Sequence, residues 1–147
     1  MKDQRGCDPS LISNKGTIYK TSGKYIAEKE VSILFSDIIR DALSRQGYIV
    51  VSENSDYNLS GDIIKFDSNT LMGFWSGDIE ANIQTSLKLV DISNGNIVWA
   101  EIISGYGKRE HILIDSLQFR KEAIDKAIYN YIEKLAASES FRKALQR

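Results

Sequence analysis

One cysteine, one proline and one histidine among 147 residues remove whole classes of chemistry at the outset. Cys7 alone cannot close an intrachain disulfide, and no cysteine cluster exists to hold zinc or an iron-sulfur centre. His111 alone limits a histidine-based metal site to one such ligand, and any Ser-His-Asp arrangement would have to use it. Long apolar runs are missing too: Ile97 to Ala100 is among the longest, far short of the roughly 20 residues needed to cross a bilayer as a helix. Neither sign of charge dominates. Nineteen basic and 20 acidic side chains leave a net charge of -1, so nothing draws the chain generally to phosphate backbones or anionic lipid, and nucleic acid is not an expected partner. Met1 to Gly6 lack the apolar stretch of a secretory leader, so a signal sequence is not expected within this chain.

What is present suits an ordinary globular domain. Hydrophobic residues make up 42% and charged residues 27%, and the length can bury one core without metals or disulfides. Residues 1–15 hold the only proline, Pro9, with Gly6, Ser10, Ser13 and Asn14, and read as a mobile lead-in. Residues 16–147 then form a single domain.

Thr17 to Lys20 reads as a short strand. From Ala27 to Gln46, apolar residues recur at Ala27, Val31, Leu34, Phe35, Ile38, Ala42 and Leu43, the spacing that stripes one helix face. Gly47 follows as a left-handed closing residue. Tyr48 to Val51 is a β-rich run. Tyr57 to Phe66 is a strand whose alternation changes phase between Ile63 and Ile64, which predicts a bulge. Ile79, Ala81, Ile83, Leu87 and Leu89 alternate with polar residues, which gives a strand wet on one face and buried on the other.

Asn94-Gly95 is a preferred pair for a two-residue type I′ hairpin turn. That turn would place Leu87 opposite Ile102, Leu89 opposite Ala100 and Lys88 opposite Glu101, with the second strand running from Ile97 to Gly107. Trp99 and Ile103 would then point away from the helix-covered core. A second helix starts at a cap on Asp115 or Ser116 and carries Leu117, Ile124, Ala127, Ile128, Tyr131 and Leu135 to about Ala137, with Phe141 to Arg147 as a further turn or a frayed tail. The fold class is therefore α+β: two layers, an antiparallel sheet of about four strands with two amphipathic helices packed on one face.

The search for chemistry yields little. His111 reads as a solvated loop residue. Asp37 and Asp41 lie four apart on the polar face of the first helix, where they read as solvated. The glycines of Gly73 to Gly77, and Gly105 with Gly107, have no phosphate-cradle spacing and read as turns or a strand end. Leu71, Met72, Phe74 and Trp75 put large apolar groups into a connection where polar ones are expected. Either this loop folds back over the core, or it presents a contact surface to a partner or membrane. Trp99 and Ile103 on the uncovered sheet face are either a simple cross-strand packing group or a second contact surface, suited to a homodimer. Cys7 after Gly6 is either a plain tail cysteine or a lipid attachment point.

Several stretches resemble the YajG-like family of bacterial outer-membrane lipoproteins and related envelope auxiliary lipoproteins. They are Phe35 to Val50, a helix running into glycine and Tyr-hydrophobic; Leu59-Ser60-Gly61-Asp62-Ile63 with Gly77-Asp78-Ile79-Glu80-Ala81; and the Asn94-Gly95 hairpin followed by the terminal helix and Phe141 to Leu145. The resemblance covers residues 30–147. It implies export, a lipid anchor on an N-terminal cysteine, and a domain facing the periplasm at the outer membrane, with no catalytic residues and no cofactor. The expected function is that of a non-enzymatic envelope module working through protein contacts, with envelope proteins or a second copy as partners and with membrane contact only through the anchor. The competing expectation is a small-molecule binder or hydrolase using Asp62, Asp78 or Glu80 in a polar cleft between helix and sheet.

Overall fold

The computed structural model describes the backbone of residues 1–17 and 20–146, and their side chains except at 13–17 and 20–26. Strand β1 (Lys2–Asp3) precedes a hairpin of β2 (Leu11–Thr17) and β3 (Lys20–Ile26), then helix α1 (Val31–Arg45). Strands β4 (Tyr57–Met72), β5 (Gly77–Asp91) and β6 (Ile97–Ile112) follow, then helices α2 (Leu117–Ala137) and α3 (Glu139–Leu145). The main sheet has the order β1-β4-β5-β6, and β2-β3 form a separate two-stranded sheet. This is the expected two-layer α+β class, with one addition: β1 runs parallel to β4, Lys2 beside Asp62, so the four-stranded sheet is mixed. The expected strand at 17–20 includes positions 18 and 19, which lie outside the described residues.

Local signals placed the helices well. Gly47 has a positive φ of 89°, its N–H donates to the Ser44 carbonyl, and the Tyr48 N–H donates to the Leu43 carbonyl, the paired bonds of a Schellman close. Ser116 caps α2 by accepting from the Phe119 N–H at 3.2 Å, and Ser138 caps α3 by accepting from Phe141. The register shift in β4 falls between Ile63 and Lys65, where the phase change predicted it, and leaves Ile64 exposed.

The core lies between the sheet and the helices. Ile63, Phe66, Ile79, Ile83, Leu87 and Leu89 meet Phe35 of α1 and Tyr131 of α2. The Phe35 ring stands edge-on to Phe66 at 5.2 Å and to Tyr131 at 5.7 Å, so it joins both helices to the sheet. At Gly105 and Gly107 the backbone of α2 lies so close to β6 that an added Cβ would collide with the Ala127 or Ala123 carbonyl oxygen. These glycines are therefore contact points inside a strand that continues to Ile112, rather than its end.

Two expectations give way. Tyr48 to Val51 forms no strand, and Ile49 to Val51 are exposed along an open stretch between α1 and β4; their β-rich composition finds no neighbouring strand to pair with. The hairpin register also differs: Leu89 faces Trp99, Leu87 faces Glu101 and Lys88 faces Ala100. The cause is the turn. The Asp91 carboxylate accepts from the Ser93 N–H and hydroxyl and from the Asn94 side-chain amide, and the Gly95 N–H donates to the Asp91 carbonyl. Within the turn only Gly95, at φ 72°, has positive φ. The connection is thus a longer loop organised by Asp91 rather than a two-residue type I′ turn, and a one-residue slip exchanges the two faces of a strand.

Candidate functional site

That exchange moves Trp99 and Ile103 from the outer face to the core. Trp99 is 6% and Ile103 3% exposed, so neither contributes a partner surface. The Trp99 ring packs edge-on against Phe141 at 4.8 Å, and its indole N–H donates to Ser140 at 3.0 Å and to Glu101 at 3.2 Å. Glu101, itself exposed, also accepts from the Ser138 and Ser140 hydroxyls at the α2–α3 junction, each at 3.0 Å.

Leu71, Met72, Phe74 and Trp75 lie at the opposite end of the sheet. Strands β4 and β5 are longer than their sequence alternation suggested and pair up to Met72 and Gly77. The expected loop from 69 to 77 shrinks to a four-residue turn, closed by the Gly73 N–H donating to the Ser76 carbonyl at 2.9 Å. A turn this short cannot fold back over the core. Phe74 is 92% and Trp75 86% exposed, and the two rings rest on each other edge-on at 5.0 Å. Leu71 and Met72 are about half exposed beneath them.

The floor of this end is a polar node that sequence reasoning missed. Arg120, on the first turn of α2, is 1% exposed. Its guanidinium donates to the Ser68 carbonyl at 2.7 Å, the Ser68 hydroxyl at 2.8 Å, the Thr70 hydroxyl at 2.7 Å and the Asp115 carboxylate at 2.6 Å. Thr70 in turn donates to Asp115 at 3.0 Å. A buried charge persists only when paired and hydrogen-bonded, and this one ties α2, β4 and the segment before α2 into one rigid unit. One signal pointed to it: Arg120 lies seven residues before Ala127, in phase with the apolar stripe of the helix.

The acidic candidates do not converge. Asp62, Asp78 and Glu80 lie on the outer sheet face. Asp78 pairs with Lys108 at 2.9 Å and accepts from the His111 N–H at 3.2 Å. Lys108 first, then the His111 amide, hold its carboxyl below the usual carboxylate range, while Asp78 and Glu110 push the Lys108 ammonium up. Glu80 accepts from the Tyr106 hydroxyl at 2.8 Å. On α1, Asp37 is shared between exposed Lys29 and Arg40. Among the described residues no group of three or more His, Cys, Asp or Glu could hold a metal ion, and no helix is long and apolar enough to cross a membrane. His111, at φ 58°, is exposed. In the core, Tyr131 and Thr85 share a 2.7 Å hydrogen bond, and burial pushes the Tyr131 phenol up to about 12.

An open cleft of about 790 Å³ lies at the other end of the sheet, near Ile92, lined by Ile39, Leu43, Tyr48, Leu59, Leu89 and Phe141 among others. It includes none of Asp62, Asp78 and Glu80.

The expected mobile lead-in is fastened at several points. The Arg5 guanidinium pairs with Asp3 at 2.6 Å and donates to the carbonyls of Leu11 at 2.6 Å, Pro9 at 3.1 Å and Phe66 at 3.2 Å. Cys7, two residues on, is exposed.

Protein XCC0632 from Xanthomonas campestris superposes with a TM-score of 0.70 over 99% of this chain and 84% of its own, at 15% identity. A protein from Caulobacter crescentus CB15 reaches 0.48 at 14% identity, covering 82% of this chain and 85% of its own. A minor lipoprotein from Acinetobacter baumannii reaches 0.46 at 10% identity, covering 81% and 89%. Likeness at such identities speaks to the fold alone. No curated protein sequence matches the chain. The family model described as uncharacterized lipoprotein matches residues 2–146, all but the two terminal positions, and the chain therefore belongs to that lipoprotein family.

Proposed function

We propose that this chain is the globular domain of a cell-envelope lipoprotein of the YajG-like kind, facing the periplasm at the outer membrane, and that it works by binding rather than by catalysis. Membership of a lipoprotein family supports a membrane-anchored location. One observation carries the binding reading: Phe74 and Trp75 stand almost fully exposed at the tip of a hairpin whose base is fixed by the buried Arg120 node. Burying an aromatic side chain is worth about 1.5–3 kcal/mol, and this chain buries Trp99, Phe35 and Phe141. Two adjacent aromatics held out on a rigid support are therefore a contact surface, with Leu71 and Met72 beneath them.

A photo-crosslinking amino acid at position 75, compared in cells with one at exposed position 102 on the outer sheet face, tests this reading. Adducts from 75 and none from 102 are expected; a silent position 75 would remove the binding role from this end.

A further inference from the structure

The geometry points to a lipid bilayer as the occupant of this end: we infer that the domain lays its hairpin tip and the adjoining loop before α2 into the interfacial layer of a membrane. The inference rests on the binding reading above and names what is bound.

A second segment joins the tip. Gly77, which pairs with Met72 across the hairpin, also pairs with Ile112 at the end of β6. Leu113 and Ile114 therefore leave the sheet at the same end as Phe74 and Trp75. The Asp115 side chain that follows is hydrogen-bonded by Thr70, two residues before Met72, and Leu117 opens α2 immediately afterwards. All three of these apolar residues are at least two-thirds exposed. Two stretches far apart in sequence thus present large apolar side chains at one end, and the Arg120 node holds them in fixed relation.

The chemistry of that end suits lipid. Residues 70–77 and 112–114 contain no Asp, Glu, Lys or Arg. The charges that flank these stretches in sequence are paired: Asp78 and Glu110 with Lys108 at 2.9 and 3.3 Å, Arg109 with Glu122 at 2.9 Å, and Asp115 with Arg120 at 2.6 Å. Sinking the tip into the interface therefore strips water from none of these as a lone ion. The turn closes its own backbone through Gly73 and Ser76, which limits the main-chain groups left open to lipid. The surface is also a projecting tip. A protein would have to supply a matching pocket for it, whereas a bilayer interface accepts a wedge of Trp, Phe and Leu directly. A lipoprotein has a membrane within reach.

The test uses the purified chain with vesicles of phosphatidylcholine, and separately of phosphatidylethanolamine with phosphatidylglycerol, at low and high salt. The chain is expected to float with both, with little salt dependence because no charge drives the contact. Brominated acyl chains should quench Trp75 emission and leave buried Trp99 unaffected. Phe74→Ser/Trp75→Ser should weaken partitioning by at least about tenfold, Leu113→Ser/Ile114→Ser by a smaller factor, and Ile102→Ser on the outer face should change nothing. Absence of flotation, or flotation unchanged in the tip variant, overturns the lipid inference. If position 75 then crosslinks to a protein in cells, the binding reading survives with a different occupant; if it crosslinks to nothing, both fall.

Discussion

Trp99 and Trp75 lie at opposite ends of one sheet, and their surroundings differ in every respect that decides burial. Trp99 sits mid-strand opposite Leu89, under Phe141 of α3, with its N–H donating to Glu101 and Ser140. Trp75 sits in a four-residue turn, 86% exposed, with the Phe74 ring edge-on to it. The turn end carries a third helix and a loop tied to Asp91; the tip end carries a buried arginine beneath and no layer above. The same residue type serves the core where an element covers it and makes a surface where none does.

The largest expected effect breaks the covered side. Trp99→Ala removes a buried ring and one of the donors to Glu101, and unfolding in urea should show a loss of about 3–5 kcal/mol. Removing the support of the exposed side comes next. Arg120→Ala leaves Asp115 without its buried partner and Ser68 with unmet bonds, a loss of about 3 kcal/mol. Hydrogen exchange should then rise at Ser68 to Met72 and before α2, while the Asp91 turn stays protected.

How far the sequence disclosed these two ends depends on the range of the interactions involved. The α1 stripe with its Gly47 close, the Ser116 cap of α2 and the bulge at Ile63 were legible because each is set by residues within a few positions of one another. The face of Trp99 was not. It depends on a one-residue register that Asp91 decides by drawing Ser93 and Asn94 into its own hydrogen bonds, in competition with the turn that Asn94-Gly95 favours alone. Assigning Glu101 to the outer face was reasonable for a charge, but the serines that satisfy it lie 37 and 39 residues away. The aromatic tip was legible as an anomaly and only half resolved: its composition showed large apolar groups where polar ones belong, while its exposure followed from strands that pair to Met72 and Gly77. Leu113 and Ile114 gave no signal, because their place beside the tip exists only once β6 pairs with β5. The β-rich run at Tyr48 to Val51 shows the converse, a strong local preference without a partner strand to express it.

The smallest expected effect on stability tests the central claim most directly. In Phe74→Ser/Trp75→Ser both aromatics are lost from the tip, and the urea unfolding free energy should stay within about 0.5 kcal/mol of the parent chain, since both rings are almost fully exposed. That result would leave the pair as a surface the fold does not need. A loss of about 2 kcal/mol or more would show that the tip belongs to the core and contradict its role as the contact surface.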